Sequence, residues 1–120
     1  MRVVVLRKAD AGTECATPSA ELIAAIERYD REMRDAGVLV GVERLQPCAT
    51  GTRLSVAGGS FRTMDGPFAE SKELIAGVNI LEVESIEEAI EWMRRCPTLA
   101  GKDAVAEFEI RPVLETTPAR

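Results

Sequence analysis

Apolar positions along the chain follow two different periods. Residues 2–8, RVVVLRK, hold four consecutive apolar side chains, Val3–Leu6. A strand-length run that is apolar on both faces belongs to a central strand covered on both sides. A polar loop follows at 9–17. In TPSAELIAAIERYDREMRDAGV the period lengthens: Leu22, Ile26, Tyr29, Met33 and Ala36 recur at 4-3-4-3 spacing and make one helical stripe. Thr17 suits the N-cap and Pro18 the first helical position. Gly37 is placed to end the helix in a left-handed conformation.

The strand period then returns. VLVGVERLQP (38–47) reads as a second strand, stopped by Pro47. TRLSVAGGSFRTM (52–64) reads as a hairpin. Leu54 and Val56 alternate with Arg53 and Ser55, and Gly58-Gly59 supplies a two-residue turn able to reach positive φ. ELIAGVNILEV (73–83) is a long strand, apolar on both faces except at Asn79. In ESIEEAIEWMRRCP, Ser85 and Glu88 form a capping box. Ile86, Ala89, Ile90 and Met93 make the buried face of that helix, Trp92 lies off it, and Pro97 ends it. AVAEFEIRPV (104–113) closes the pattern, with Ala104, Ala106, Phe108 and Ile110 on one face and Val105, Glu107, Glu109 and Arg111 on the other.

The order is β-α-β-hairpin-β-α-β. It predicts an α+β fold of the ferredoxin-like or split βαβ kind: one antiparallel sheet, two helices on one face, and an inserted hairpin. A single domain is expected over 1–114, with a flexible tail at 115–120. Two helices cover only one face of such a sheet. The other face still carries apolar side chains from 2–8 and 73–83, and a monomer would expose them. Packing two sheets together across a two-fold axis removes the problem, so a homodimer is expected.

Composition narrows the chemistry. With 120 residues the chain has room for one core. It has a net charge of −5 and no Lys/Arg cluster, which argues against a nucleic-acid partner. No apolar run is long enough to span a membrane. Cys15, Cys48 and Cys96 are too few and too far apart for a disulfide framework or a zinc ribbon, and they fit idle thiols in a cytoplasmic protein. The chain has no histidine, which removes the commonest general base and the commonest zinc ligand. Neither a metal site nor a cofactor is expected.

The segment DGPFAESKE (65–73) supports two readings. As a turn, Asp65 caps its own backbone, Gly66 tolerates unusual dihedrals, Pro67 fixes the exit and Phe68 anchors the loop in the core, with Glu70, Lys72 and Glu73 solvated. As a site, Asp65 is a carboxylate held by turn amides at the mouth of a cleft, able to act as a base or to bind a polar ligand. Lys72 then supplies positive charge for an anion. Arg62, Glu107 and Arg111 are the other candidate lining residues, with Glu109 beside them.

TMDGPFAESKELIAG (63–77) strongly resembles the signature of the DGPF-domain proteins, a branch of the YCII-related family. That pattern is close to D-G-P-F-A-E-[ST]-K-E followed by an apolar stretch with glycine. SIEEAIEWMRRCP, FEIRPV and the Tyr29 to AGVLVGVERLQP region are similar to other parts of the family, so the likeness spans roughly 2–114. The resemblance implies the dimeric α+β barrel superfamily, whose members include monooxygenases and isomerases. It also implies a suspected His–Asp pair, which a chain without histidine cannot form as such.

The expected function is therefore a small cytoplasmic homodimer that binds a small molecule in a sheet-lined cleft, with cofactor-free lyase, isomerase or oxygenase chemistry as the activity the superfamily suggests. The alternative is a non-catalytic accessory acting on protein in sigma-factor-linked regulation.

Overall fold

The computed structural model describes residues 1–9, 18–68, 74–98 and 106–115. Among the described residues, six strands and two α-helices follow one another: β1 (Arg2–Ala9), α1 (Ala20–Asp35), β2 (Leu39–Arg44), a 3-10 turn (Cys48–Thr50), β3 (Thr52–Ala57), β4 (Ser60–Asp65), β5 (Leu74–Glu82), α2 (Ile86–Arg94) and β6 (Glu107–Pro112). Four strands form one sheet in the order β2-β5-β1-β6, with every neighbouring pair antiparallel. This is the α+β, ferredoxin-like arrangement that the alternation of periods predicts. β3 and β4 form a separate two-stranded sheet.

Register sorts the central strands into two faces. Val5 of β1 pairs with Asn79 of β5 and Ile110 of β6, while its neighbour Val4 pairs with Ile80 and Arg111. Val3, Val5 and Leu81 point toward the helices and join Tyr29, Met33, Ala89 and Met93 in one buried core. Phe108 and Ile110 pack against that core from the edge strand. Val4, Leu6, Val78 and Ile80 alternate onto the opposite face, which neither helix covers, and are only partly buried.

Local chemistry fixes the helix ends. The N-cap of α1 is Ser19, whose hydroxyl accepts from the Leu22 amide at 3.1 Å. Pro18 therefore precedes the cap instead of opening the helix, and the expected cap at Thr17 gives way to Ser19. Thr17 itself lies outside the described residues. Of the predicted stripe, Tyr29 and Met33 are buried, but Ala36 is the exposed C-cap. Gly37 follows with φ +75°, the left-handed exit expected of it.

Helix α2 has its capping box, with a shift. Ser85 Oγ accepts from the Glu88 amide at 3.1 Å, while Glu88 Oε1 accepts from the amide of Glu84, one residue before the cap. Of its predicted buried face, Ala89 and Met93 are buried and Ile86 packs against the core, whereas Ile90 is exposed. Trp92 takes up the contact with α1: its ring lies 6.2 Å from Tyr29, whose hydroxyl donates to the Trp92 carbonyl at 2.6 Å. Among the described residues no helix is long and apolar enough to cross a membrane.

Candidate functional site

Three places in the structure carry polar chemistry or concave surface: the base of the hairpin, the open face of the sheet, and a buried cluster beneath the helices.

At the hairpin base, Gly66 closes the turn by donating to the carbonyl of Gly51 at 2.9 Å, and the Gly66–Pro67 peptide is cis. The backbone passes so close to the 3-10 turn that any side chain on Gly66 would overlap the carbonyl of Cys48. Asp65 is exposed, and one of its carboxylate oxygens accepts from the Thr52 hydroxyl at 3.2 Å across the strand pair. The Phe68 amide donates to Cys48 Sγ at 3.4 Å, and the guanidinium of Arg53 lies 4.1 Å over the Phe68 ring. Phe68 thus anchors the loop against the 3-10 turn and Arg53. The turn reading expected Phe68 to anchor the loop in the core, but it lies outside the main core cluster.

These contacts wall a cleft of about 430 Å³ lined by Leu45, Pro47, Cys48, Arg53, Phe68 and Ile75, among others. The lining is mostly apolar with one guanidinium, the composition of a small-molecule pocket. Leu74 and Ile75, the first residues of β5, both line it, so the cleft sits at the end of the sheet where the hairpin base meets β5.

The open face of the sheet has a polar edge. Glu109 pairs with Lys8 at 3.6 Å and with Arg111 at 3.7 Å. Glu107 and Arg111 both lie on this side of β6 and are exposed, consistent with the alternation read from the sequence. Arg62 lies on the hairpin, opposite Ser55. Among the described residues no hydrogen bond or ion pair joins Arg62 or Asp65 to Glu107 or Arg111. The structure sets them as two separate pairs, one on the hairpin and one on the sheet edge. Lys72, Glu70 and Glu73 lie outside the described residues. Cys15 also lies outside them, and Cys48 and Cys96 are not joined in a disulfide. Among the described residues no group of three His, Cys, Asp or Glu is placed to hold a metal ion.

The third place was not visible as a site in the sequence. Beneath the helices, Arg7 of β1 donates to Asn79 Oδ1 at 3.0 Å and to Cys96 Sγ at 3.4 Å, and lies 5.7 Å from the Phe108 ring centre. Nearby on the same layer, Arg44 of β2 donates to Asp30 of α1 at 2.9 Å. Two atoms in this layer are buried without a partner among the described residues: Asp30 Oδ1 and Asn79 Nδ2. A buried polar atom without a hydrogen bond costs on the order of 1–3 kcal/mol. Burial pushes the Cys96 thiol above its usual range, with Arg7 opposing the shift. Such a thiol is neutral at physiological pH and a poor nucleophile. Asn79, the one polar residue in the interior of β5, was the only local hint of this layer.

The fold, then, is that of a small ferredoxin-like α+β protein with an inserted hairpin and a cleft at the hairpin base. The model of the YCII-related domain matches residues 1–115, so the chain belongs to the YCII-related family. It is similar to an uncharacterized protein of Rhizobium meliloti (strain 1021), at 32% identity over 88 residues, which covers 73% of this chain and 69% of that protein.

Proposed function

We propose that this protein is a cytoplasmic homodimer of the DGPF branch of its family, built by packing two open sheet faces together, and that it binds a small molecule at the cleft beside the hairpin. The observation that carries the reading is the uncovered face of the sheet. Val4, Leu6, Val78 and Ile80 sit at its centre, on the side away from both α1 and α2. Covering one such aliphatic side chain completely is worth about 1.5–3 kcal/mol, so closing this half-covered patch favours association by a few kcal/mol per chain, an order-of-magnitude figure.

Arg53 supplies positive charge at the cleft wall, and the remaining lining is largely apolar. The ligand that matches is a small molecule with an apolar body and an anionic group. With no histidine in the chain, proton transfer is left to carboxylates, Tyr29, lysines or cysteines, and Asp65, next to Gly66, which bonds to the cleft-lining Gly51, is the candidate. Arg62, Lys72, Glu107 and Arg111 would contribute charge around the mouth. Neither the fold nor the relatives lend weight to the sigma-factor-linked accessory role.

Sedimentation equilibrium at micromolar protein tests the dimer, with twice the 13.0 kDa chain mass expected. A monomer that shows no concentration dependence would end the proposal. Thermal-shift screening against small organic acids tests the ligand class, because binding to the native state raises the apparent melting temperature.

A further inference from the structure

We infer that the pocket between α2 and β6 is a second ligand site, which takes a small carboxylate with an apolar tail and holds its charge on Arg7. The site is separate from the hairpin cleft and does not depend on a dimer. Arg7 alternates with Val3 and Val5 along β1, so its side chain enters the layer beneath the helices. Opposite it, β5 carries one extra residue, Ala76, where the register shifts between Arg7 and Lys8. Bulges of this kind re-aim neighbouring side chains. Gly77, the pairing partner of Arg7, leaves room for its aliphatic stem, because a Cβ there would stand 3.3 Å from Arg7 Cδ.

The groups that Arg7 meets there are all neutral: Asn79 Oδ1, Cys96 Sγ and the Phe108 ring. Burial keeps the Cys96 thiol in its neutral form, so it offers no countercharge. The acid of the layer, Asp30, is held by Arg44 at 2.9 Å. Among the described residues no carboxylate pairs with Arg7, so the layer sets two guanidiniums against one carboxylate. A half-buried cation without a counter-ion is disfavoured. Beside it, Asn79 is fully buried and its Nδ2 has no acceptor among the described residues. A water molecule would serve that amide but leave the charge. An anion serves both.

The pocket gives the anion its body. Cys96 and Phe108, two of the groups around Arg7, also wall a cavity of about 370 Å³ together with Ile90, Met93, Ala106 and Ile110. That volume lies in the range of small-molecule sites, and an apolar wall with one charged anchor is their usual composition. Arg94 also lines the cavity, but it stands exposed and bonded to Glu91 at 3.3 Å, which leaves Arg7 as the cation at the inner wall. A carboxylate entering between Cys96 and Phe108 meets the guanidinium. The lining is aliphatic on most sides, which suits a hydrocarbon tail.

The test uses octanoate as the probe and octanol as its uncharged counterpart. Binding to the full chain is followed on the methyl resonances of Ile90, Met93 and Ile110, which wall this pocket and not the hairpin cleft. Octanoate is expected to shift them saturably and to bind at least tenfold more tightly than octanol. Arg7→Met should weaken octanoate at least tenfold, leave octanol unchanged and keep the circular dichroism of the wild type. Arg53→Leu, in the hairpin cleft, should change neither. Resonances that octanoate does not move overturn the site. Equal affinities for the two probes, or a smaller loss in Arg7→Met, overturn Arg7 as the anchor. If Arg7→Met does not fold, Ala106→Trp decides, since it fills the pocket and leaves Arg7 in place. It should weaken octanoate at least tenfold, and undiminished binding overturns the site.

Discussion

Gly66 and Cys48 meet so closely that the absence of a side chain on one is what lets the carbonyl of the other stay in place. A Cβ on Gly66 would overlap the Cys48 oxygen and stand 3.3 Å from the Ala49 Cα, both backbone atoms that cannot swing aside. Gly66→Ala is expected to cost about 2 kcal/mol or more, because relief requires the hairpin base to move off the 3-10 turn. Gly58→Ala is the control. Gly58 has φ +56° but open space around it, so its cost is only the left-handed penalty of about 1 kcal/mol. Urea denaturation midpoints of the two variants check the ranking. Equal midpoints would mean that the turn opens freely.

Arg7 and Asn79 are expected to be coupled. Asn79 is fully buried and accepts from Arg7 at 3.0 Å, while its own NH₂ has no partner among the described residues. Asn79→Leu alone strands the Arg7 guanidinium in a half-buried site and should cost about 2 kcal/mol. Arg7→Met with Asn79→Leu removes both halves and the unpaired NH₂ together, so its cost should fall at least about 1 kcal/mol short of the sum of the singles. A double-mutant cycle by chemical denaturation measures this. Strict additivity would show that the contact contributes nothing.

Much of the framework was legible because it depends on local rules. The 4-3-4-3 stripe found α1, the apolar runs found β1 and β5, and Gly58-Gly59 found a turn in which both glycines take positive φ. The cap of α1 was misplaced because Thr17 and Ser19 both carry the right hydroxyl, and only the observed backbone shows Ser19 accepting from Leu22. Trp92 looked peripheral because the helix stripe was drawn without Tyr29, which lies 63 residues away and fills the gap. The polar layer of Arg7, Asn79 and Cys96 joins residues up to 89 positions apart, so periodicity could not assemble it. The hairpin's alternation revealed two faces but gave no sign of what either one meets.

Stability should decline at alkaline pH because two buried groups resist ionising. Burial raises the Cys96 thiol and the Tyr29 hydroxyl above their ordinary values, opposed by Arg7 at the first and by Arg95 at the second. A group whose pKa is raised in the folded state leaves stability unchanged below its unfolded value. Above that value the unfolded chain releases the proton first, and stability falls as pH climbs toward the folded value. The unfolding midpoint is therefore expected to be flat for these groups up to about pH 8.5 and to drop beyond it. Cys96→Ala should flatten the first part of that decline, although it loses some packing at every pH. A wild-type slope that Cys96→Ala leaves unchanged would assign the decline elsewhere.

Asp65 separates the turn from the site. Among the described residues its carboxylate accepts one hydrogen bond, from the Thr52 hydroxyl at the hairpin base, where Asp65 is exposed. Asn in its place keeps an oxygen for that contact and loses only the charge. Asp65→Asn should therefore unfold within about 0.5 kcal/mol of the wild type, as surface changes that preserve their contacts do. Binding is where the charge would show. With an organic acid from the thermal-shift screen as probe, Arg53→Leu should weaken binding about tenfold, roughly 1.4 kcal/mol, because it removes the cation from the cleft wall. Asp65→Asn should leave binding of that anion unchanged or strengthen it, since a carboxylate at the rim repels an anion. If Asp65 serves as a base, turnover should fall tenfold or more while binding holds. Titration and turnover, run side by side on both variants, read these effects separately. Weaker binding in Asp65→Asn with an intact dimer would mean that the carboxylate contacts the ligand directly. Unchanged binding and unchanged turnover would leave DGPF as the turn that Gly66 and Cys48 already require.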